Sequence, residues 1–169
     1  TAEIFRAEEF SAGGKWLLHV ACDLRACYPH SLDRHHRHLI ACSDGTLLLV
    51  DDIFSRGGRR IGATGHLQLT AAAEAEAHQD EWRMPSADGG TRIRFHLPVS
   101  VSPGEALEHK SPKVYPLIYR TPADAPAALF AVSLSRKNDI SLARNDRRLT
   151  ITKEGIAAAL DLDTGILHL

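Results

Sequence analysis

Hydrophobic and polar positions along this chain change sides every second residue, or cluster in runs too short for a helix. Lys15 to Cys22 (KWLLHVAC) and Thr46 to Ile53 (TLLLVDDI) are apolar runs of strand length with no helix caps. Thr91 to Leu97 (TRIRFHL) alternates, with Ile93, Phe95 and Leu97 on one side and Arg92, Arg94 and His96 on the other. Asp88-Gly89-Gly90 just before it is a hairpin signal. Residues 127 to 135 (AALFAVSLS) read as a core strand. Beyond them DISLA, RRLTIT, IAAALDL and ILHL form a meander between Arg-Asn-Asp, Lys-Glu-Gly and Asp-Thr-Gly turns. Dense prolines from Pro98 to Pro126 exclude long helices there. One stretch is ambivalent. Thr70 to His78 (TAAAEAEAH) is rich in helix formers, yet its strict alternation and its β neighbours favour a strand continuing to Met84. The pattern predicts an all-β fold: an antiparallel two-sheet β-sandwich, one domain over residues 1–169.

Composition adds exclusions. Of 169 residues, 20 are Lys or Arg and 21 are Asp or Glu, leaving a net charge of -1. A nucleic-acid or membrane-surface protein would carry a basic excess, so neither partner is expected. No apolar run approaches the roughly 20 residues of a membrane span. Cys22, Cys27 and Cys42 are an odd count without zinc-ribbon spacing, which reads as plain thiols. The chain opens on Thr1, and GILHL at its end still reads as strand. The chain is therefore expected to be mature, processed or a piece of something longer, cut at a domain edge.

The densest chemistry lies in RHHRHLIACSDGTLLLVDD, residues 34–52. With Asp44-Gly45 as a two-residue turn, Ile40 pairs with Leu49, His38 with Asp51 and Arg37 with Asp52. One face then carries His36, His38, Ile40, Leu49, Asp51 and Ile53. The other carries His35, Arg37, Leu39, Val50, Asp52 and Phe54. Arg37 and Asp52 form a cross-strand ion pair in this register. His36, His38 and Asp51 form half of a metal face, with His66 from the next strand as the added ligand; zinc accepts such nitrogen and oxygen donors. No HxxxH or HExxH motif accompanies them. Arg34, His35 and Arg37, with Arg59 and Arg60 nearby, form a basic strip suited to an acidic glycan. Trp16, Trp82, Tyr28, Tyr115 and Tyr119 read as packing rings.

Arg37-His38-Leu39, then DGTLLLVDDIFS, then His66 in TGHLQL and the later TRIRFHLP resemble the β-sheet region of heparinase II/III-like polysaccharide lyases. The resemblance covers most of the chain in outline through short, degenerate motifs. It implies a supersandwich-like C-terminal β-sandwich of a bacterial enzyme, periplasmic or cytoplasmic, whose N-terminal helical toroid is missing here. It also implies an acidic polysaccharide as the parent's substrate, and a zinc ion held by two histidines and an aspartate. The matching positions are His36 or His38, Asp51 or Asp52, and His66; the expected HLHP-like strand is HLQL here. Eliminating a uronate needs carboxylate neutralisation, a base for the C5 proton and an acid for the leaving oxygen. The family takes its tyrosine and much of its cleft from the toroid. No residue here is assigned a catalytic role, and the chain alone is expected to be inactive. A non-catalytic carbohydrate-binding or interaction module is the alternative. An apolar face left where the toroid belongs would favour a homo-oligomer.

Overall fold

A computed structural model describes residues 2–12, 15–76, 80–87, 89–107, 113–121, 125–136, 140–153 and 155–169. Strands dominate, in chain order: β1 (Glu3–Ala12), β2 (Lys15–Asp23), β3 (Leu32–Cys42), β4 (Leu47–Ser55), β5 (Thr64–Leu69), β6 (Glu74–Ala75), β7 (Glu81–Met84) and β8 (Thr91–Phe95). They continue as β9 (Ser100–Pro103), β10 (Tyr115–Arg120), β11 (Ala127–Ser135), β12 (Ile140–Asn145), β13 (Arg148–Lys153), β14 (Ile156–Asp161) and β15 (Ile166–His168). Single 3-10 turns at Arg25–Cys27 and Arg56–Gly58 are the helical elements among the described residues.

An eight-stranded sheet, ordered β1-β2-β3-β4-β11-β8-β7-β6, forms the middle layer. A three-stranded sheet (β5-β10-β9) and a four-stranded meander (β12-β13-β14-β15) flank it. Strand alternation explains the layering. On β4, Leu48 and Val50 pack with Leu149, Leu160 and Leu167 of the meander. Leu49 and Ile53, one residue out of phase, pack with Leu117 and Tyr119 of the three-stranded sheet. β4 is therefore buried on both faces, which is why its sequence opens on an unbroken apolar run, Leu47 to Val50, and not an alternating one. The antiparallel all-β sandwich is as expected, with a third layer added by the tail meander.

One strand has no counterpart in the apolar pattern, and two local expectations need correction. The charged stretch EIFRAEEFSA forms edge strand β1, which the apolar pattern does not reveal. TAAAEAEAH does not run on to Met84 as one strand. β6 instead pairs back on β7, Glu74 against Arg83 and Ala75 against Trp82; Ala77 and His78 lie outside the described residues.

The second correction governs the site. The β3–β4 loop has three residues, not two. Gly45 N–H donates to the Cys42 carbonyl, Cys42 N–H donates to the Thr46 carbonyl, and Gly45 takes φ +85°. This is a three-residue hairpin loop with glycine at the left-handed position. The register moves by one: Leu39 faces Leu49, His38 faces Val50, Arg37 faces Asp51 and His36 faces Asp52. A one-residue slip changes which residues of β4 share a face with each residue of β3.

Candidate functional site

The two adjacent aspartates of β4 project into opposite layers, and each is buried, Asp51 to 2% exposure and Asp52 to 1%. On the side of the three-stranded sheet, Arg37 of β3 donates to both Asp51 oxygens, Nε at 2.8 Å and Nη2 at 2.9 Å. The His35 imidazole lies beside the same carboxylate, with Nε2 3.5 Å from Oδ1. That distance is an electrostatic contact more than a well-formed hydrogen bond. Burial pushes the Asp51 carboxyl up, but His35 and Arg37 outweigh it and hold it below the usual carboxylate range. Tyr119 stands near this carboxylate, and burial pushes its phenol up to about 12.

On the meander side, Arg147 from the β12–β13 turn grips Asp52 with both terminal nitrogens, at 2.9 and 2.6 Å. Arg34 adds a bond at 3.2 Å. Both guanidiniums also reach Asp163, and both lie over the Phe54 ring at 5.1 and 4.8 Å from its centroid. Two cations and two carboxylates balance in this network. It clamps the meander onto the middle sheet.

A histidine pair lies beside the clamp. His19 of β2 and His38 of β3 are both fully buried, with rings stacked and His19 Nε2 3.1 Å from His38 Nδ1. One proton is shared across that contact. The other ring nitrogens, His19 Nδ1 and His38 Nε2, have no hydrogen-bond partner among the described residues. Burial first, then His19 and His36, lower the His38 pKa to about 4. His36 packs against Phe5, ring centroids 4.9 Å apart, and its pKa is also lowered, chiefly by burial.

The residues expected to bind metal do not converge. His36 and His38 face the meander, Asp51 faces the other way, and His66 sits exposed on β5 opposite Ile118. Among the described residues, no group of three or more His, Cys, Asp or Glu is arranged to hold a metal ion. The zinc implied by the resemblance does not fit this set, because a guanidinium already covers both oxygens of Asp51. The expected basic strip is divided too. Arg34 is committed to Asp52, the Leu162 carbonyl and Asp163 on one face, while His35 and Arg37 lie on the other. Arg37 pairs with Asp51, not Asp52.

Two participants escaped the sequence reading. His19 was legible, since KWLLHVAC places it in phase with Leu17 and Ala21 on an inward face. Arg147 had no such signal, because a turn arginine announces no partner 95 positions away.

Middle sheet, flanking layers and buried polar pairs together define an all-β antiparallel sandwich with chemistry concentrated on β3 and β4. No family model and no curated protein matches the chain. Solved structures do. A heparan sulfate lyase HepC mutant from Pedobacter heparinus aligns with 95% of this chain at a TM-score of 0.64 and 16% identity. A heparinase III gene product aligns over 94% at 0.68 and 9%, and a second heparinase III structure over 94% at 0.60 and 11%. At these identities the likeness is one of fold. The chain spans 28% of the first of those enzymes and 27% of the other two, in their C-terminal part.

Proposed function

We propose that this chain is the sandwich half of a heparinase II/III-like polysaccharide lyase, shaping one wall of the cleft in which a helical toroid performs β-elimination on an acidic polysaccharide. The observation that carries this reading is the match of nearly the whole chain to a heparan sulfate lyase structure and a heparinase III structure. The uneven covering of the middle sheet supports it. The three-stranded sheet packs over β4, β11, β8 and β7 but leaves β1 and β2 open on that side. Ile4, Trp16 and Leu18 are 66%, 42% and 39% exposed on those strands. Apolar side chains exposed on an uncovered sheet face suit a docking surface. Among the described residues, the arginines nearest the buried carboxylates are engaged with them and are not spare cations for a uronate.

Activity alone is therefore not expected. Incubated with heparan sulfate, the isolated chain should produce no rise in unsaturated-uronate absorbance, and the chain joined to its helical partner should produce one. The reading frame upstream of Thr1 is the decisive check. A helical domain carrying Tyr and His supports the proposal, whereas a start codon directly before Thr1 would sink it.

A further inference from the structure

Arg147 fastens the meander at the β12–β13 turn; at the other end of that ladder, where Ile140 faces Lys153, a cavity of about 150 Å³ separates the layers. Its apolar walls are Leu17 of β2, Ile40 of β3, Ile140 of β12, Ile151 of β13, and Ile156 and Ala158 of β14. Side chains branched at Cβ are stiff, so the isoleucine walls resist collapsing into the gap. An apolar void of this size offers water few partners and accepts a ring the size of benzene. Unlike a sealed packing defect, this one reaches solvent. Trp16, Ser43 and Asp44 also line it and are exposed, Trp16 to 42%.

The polar groups at the mouth decide what fits. Lys153 lines the cavity with only 8% exposure, and its ammonium lies 2.8 Å from Asp44 Oδ2. Asp44 Oδ1 accepts from the Thr46 N–H at 3.0 Å, and Oδ2 accepts from the Thr46 hydroxyl at 3.2 Å. A carboxylate has about four acceptor positions, and these bonds fill three of them. Burial pushes the Asp44 carboxyl up, but Lys153 and Thr46 outweigh it and hold it below the usual carboxylate range. Asp44 is therefore an ionised acceptor with room for one more donor, and 34% of its side chain is exposed to receive it.

We infer that this cavity binds one small neutral ring carrying a hydroxyl, a phenol-like molecule, with the ring among the isoleucines and the hydroxyl donating to Asp44. The charges in the lining select against ions. A ligand carboxylate would face Asp44, and a ligand ammonium would face Lys15 and Lys153. The bound ring joins β2 and β3 to the meander at the end that Arg147 does not reach, so binding also raises the melting temperature. The inference stands whether or not a helical domain precedes the chain.

The test is a methyl NMR titration of the isoleucine-labelled chain with phenol, toluene, benzoate and benzylamine. Phenol should shift the Ile40, Ile140, Ile151 and Ile156 signals saturably and leave Ile53, which packs in the opposite layer, in place. Toluene should bind about fivefold more weakly for want of the donor, and either ion about tenfold or more. Ala158→Leu should fill the cavity and abolish phenol binding. Should that variant unfold, Ile156→Ala at the half-buried mouth decides instead, by binding naphthol about tenfold more tightly than the parent does. No saturable shift with phenol, toluene or either ion binding as tightly as phenol, a folded Ala158→Leu that still binds it, or Ile156→Ala treating naphthol as the parent does would each overturn the inference.

Discussion

Asp51 and Asp52 are neighbours in sequence with nearly equal burial, yet they do different work because β4 turns them into different layers. Asp52 is held from two sheets. Arg34 comes from the middle sheet and Arg147 from the meander, and Asp163 of the meander closes the network. Asp51 is held from its own sheet, by Arg37 and the His35 imidazole beside it. The first arrangement joins layers. The second stays within one layer. Charge and burial alone do not distinguish a carboxylate that joins layers from one that braces its own sheet; the sheet from which its partners come does.

The sharpest way to break this comparison is to remove each carboxylate in turn. Asp52→Ala strands two partly buried guanidiniums and unfastens the meander, and should cost about 3–5 kcal/mol. Chemical denaturation measures this. A loss below about 1 kcal/mol would show that the clamp does not hold the layers together.

Acid should separate the two sides next. The His38 pKa is lowered to about 4 in the folded chain, from 6.5. The unfolded chain then binds more protons, so stability falls as pH drops from about 6.5 toward about 4 and levels off below. For this fully buried ring the loss is on the order of 3 kcal/mol. Asp52 and Asp51 stand near His38 and oppose the loss; His19, His36 and burial drive it. His96, bonded to Ser133 Oγ at 2.8 Å and also lowered to about 4 by burial, adds a contribution in the same direction. Asp51, whose pKa is depressed, holds its contribution until the pH falls below the ordinary carboxylate range. Hydrogen exchange at pH 4.5 should therefore loosen β12 to β15 before β5, β9 and β10. His38→Gln should flatten part of the pH dependence.

Asp51→Ala should do less, about 1–3 kcal/mol, because Arg37 keeps 38% of its side chain exposed and can rehydrate. If it cost as much as Asp52→Ala, the contrast between the two carboxylates would fail. Urea denaturation of both variants at one pH makes the comparison direct.

Most of the fold could be read from the sequence because burial on one face imposes a period of two, and the tail strands obey it. DISLA, RRLTIT, IAAALDL and ILHL each correspond to a strand of the meander, with ends differing by a residue or two: β12 extends through Asn145 and β13 through Lys153. β1 was not legible, because an edge strand exposed along much of its length has no apolar period to show. The site was less legible for a related reason. Local pattern put His36 and His38 on one face and His35 and Arg37 on the other, correctly. Which aspartate joins which face depends on one residue of loop length. Which arginine reaches Asp52 depends on a sheet that folds back from the far end of the chain. Neither fact is periodic.

The smallest expected effect tests that loop. Gly45 sits at φ +85°, and a Cβ added there would meet nothing within 4 Å. Gly45→Ala therefore isolates the backbone term and should cost about 1 kcal/mol, with Gly45→Asn costing less because Asn tolerates the left-handed region. Both variants should keep the observed register, because the paired apolar faces of β3 and β4 resist a one-residue slip far more strongly than one strained turn residue favours it. Amide cross-peaks between β3 and β4 report this directly. A register moved toward the two-residue turn would bring Arg37 opposite Asp52. The loop, and not the core, would then determine which aspartate becomes the clamp.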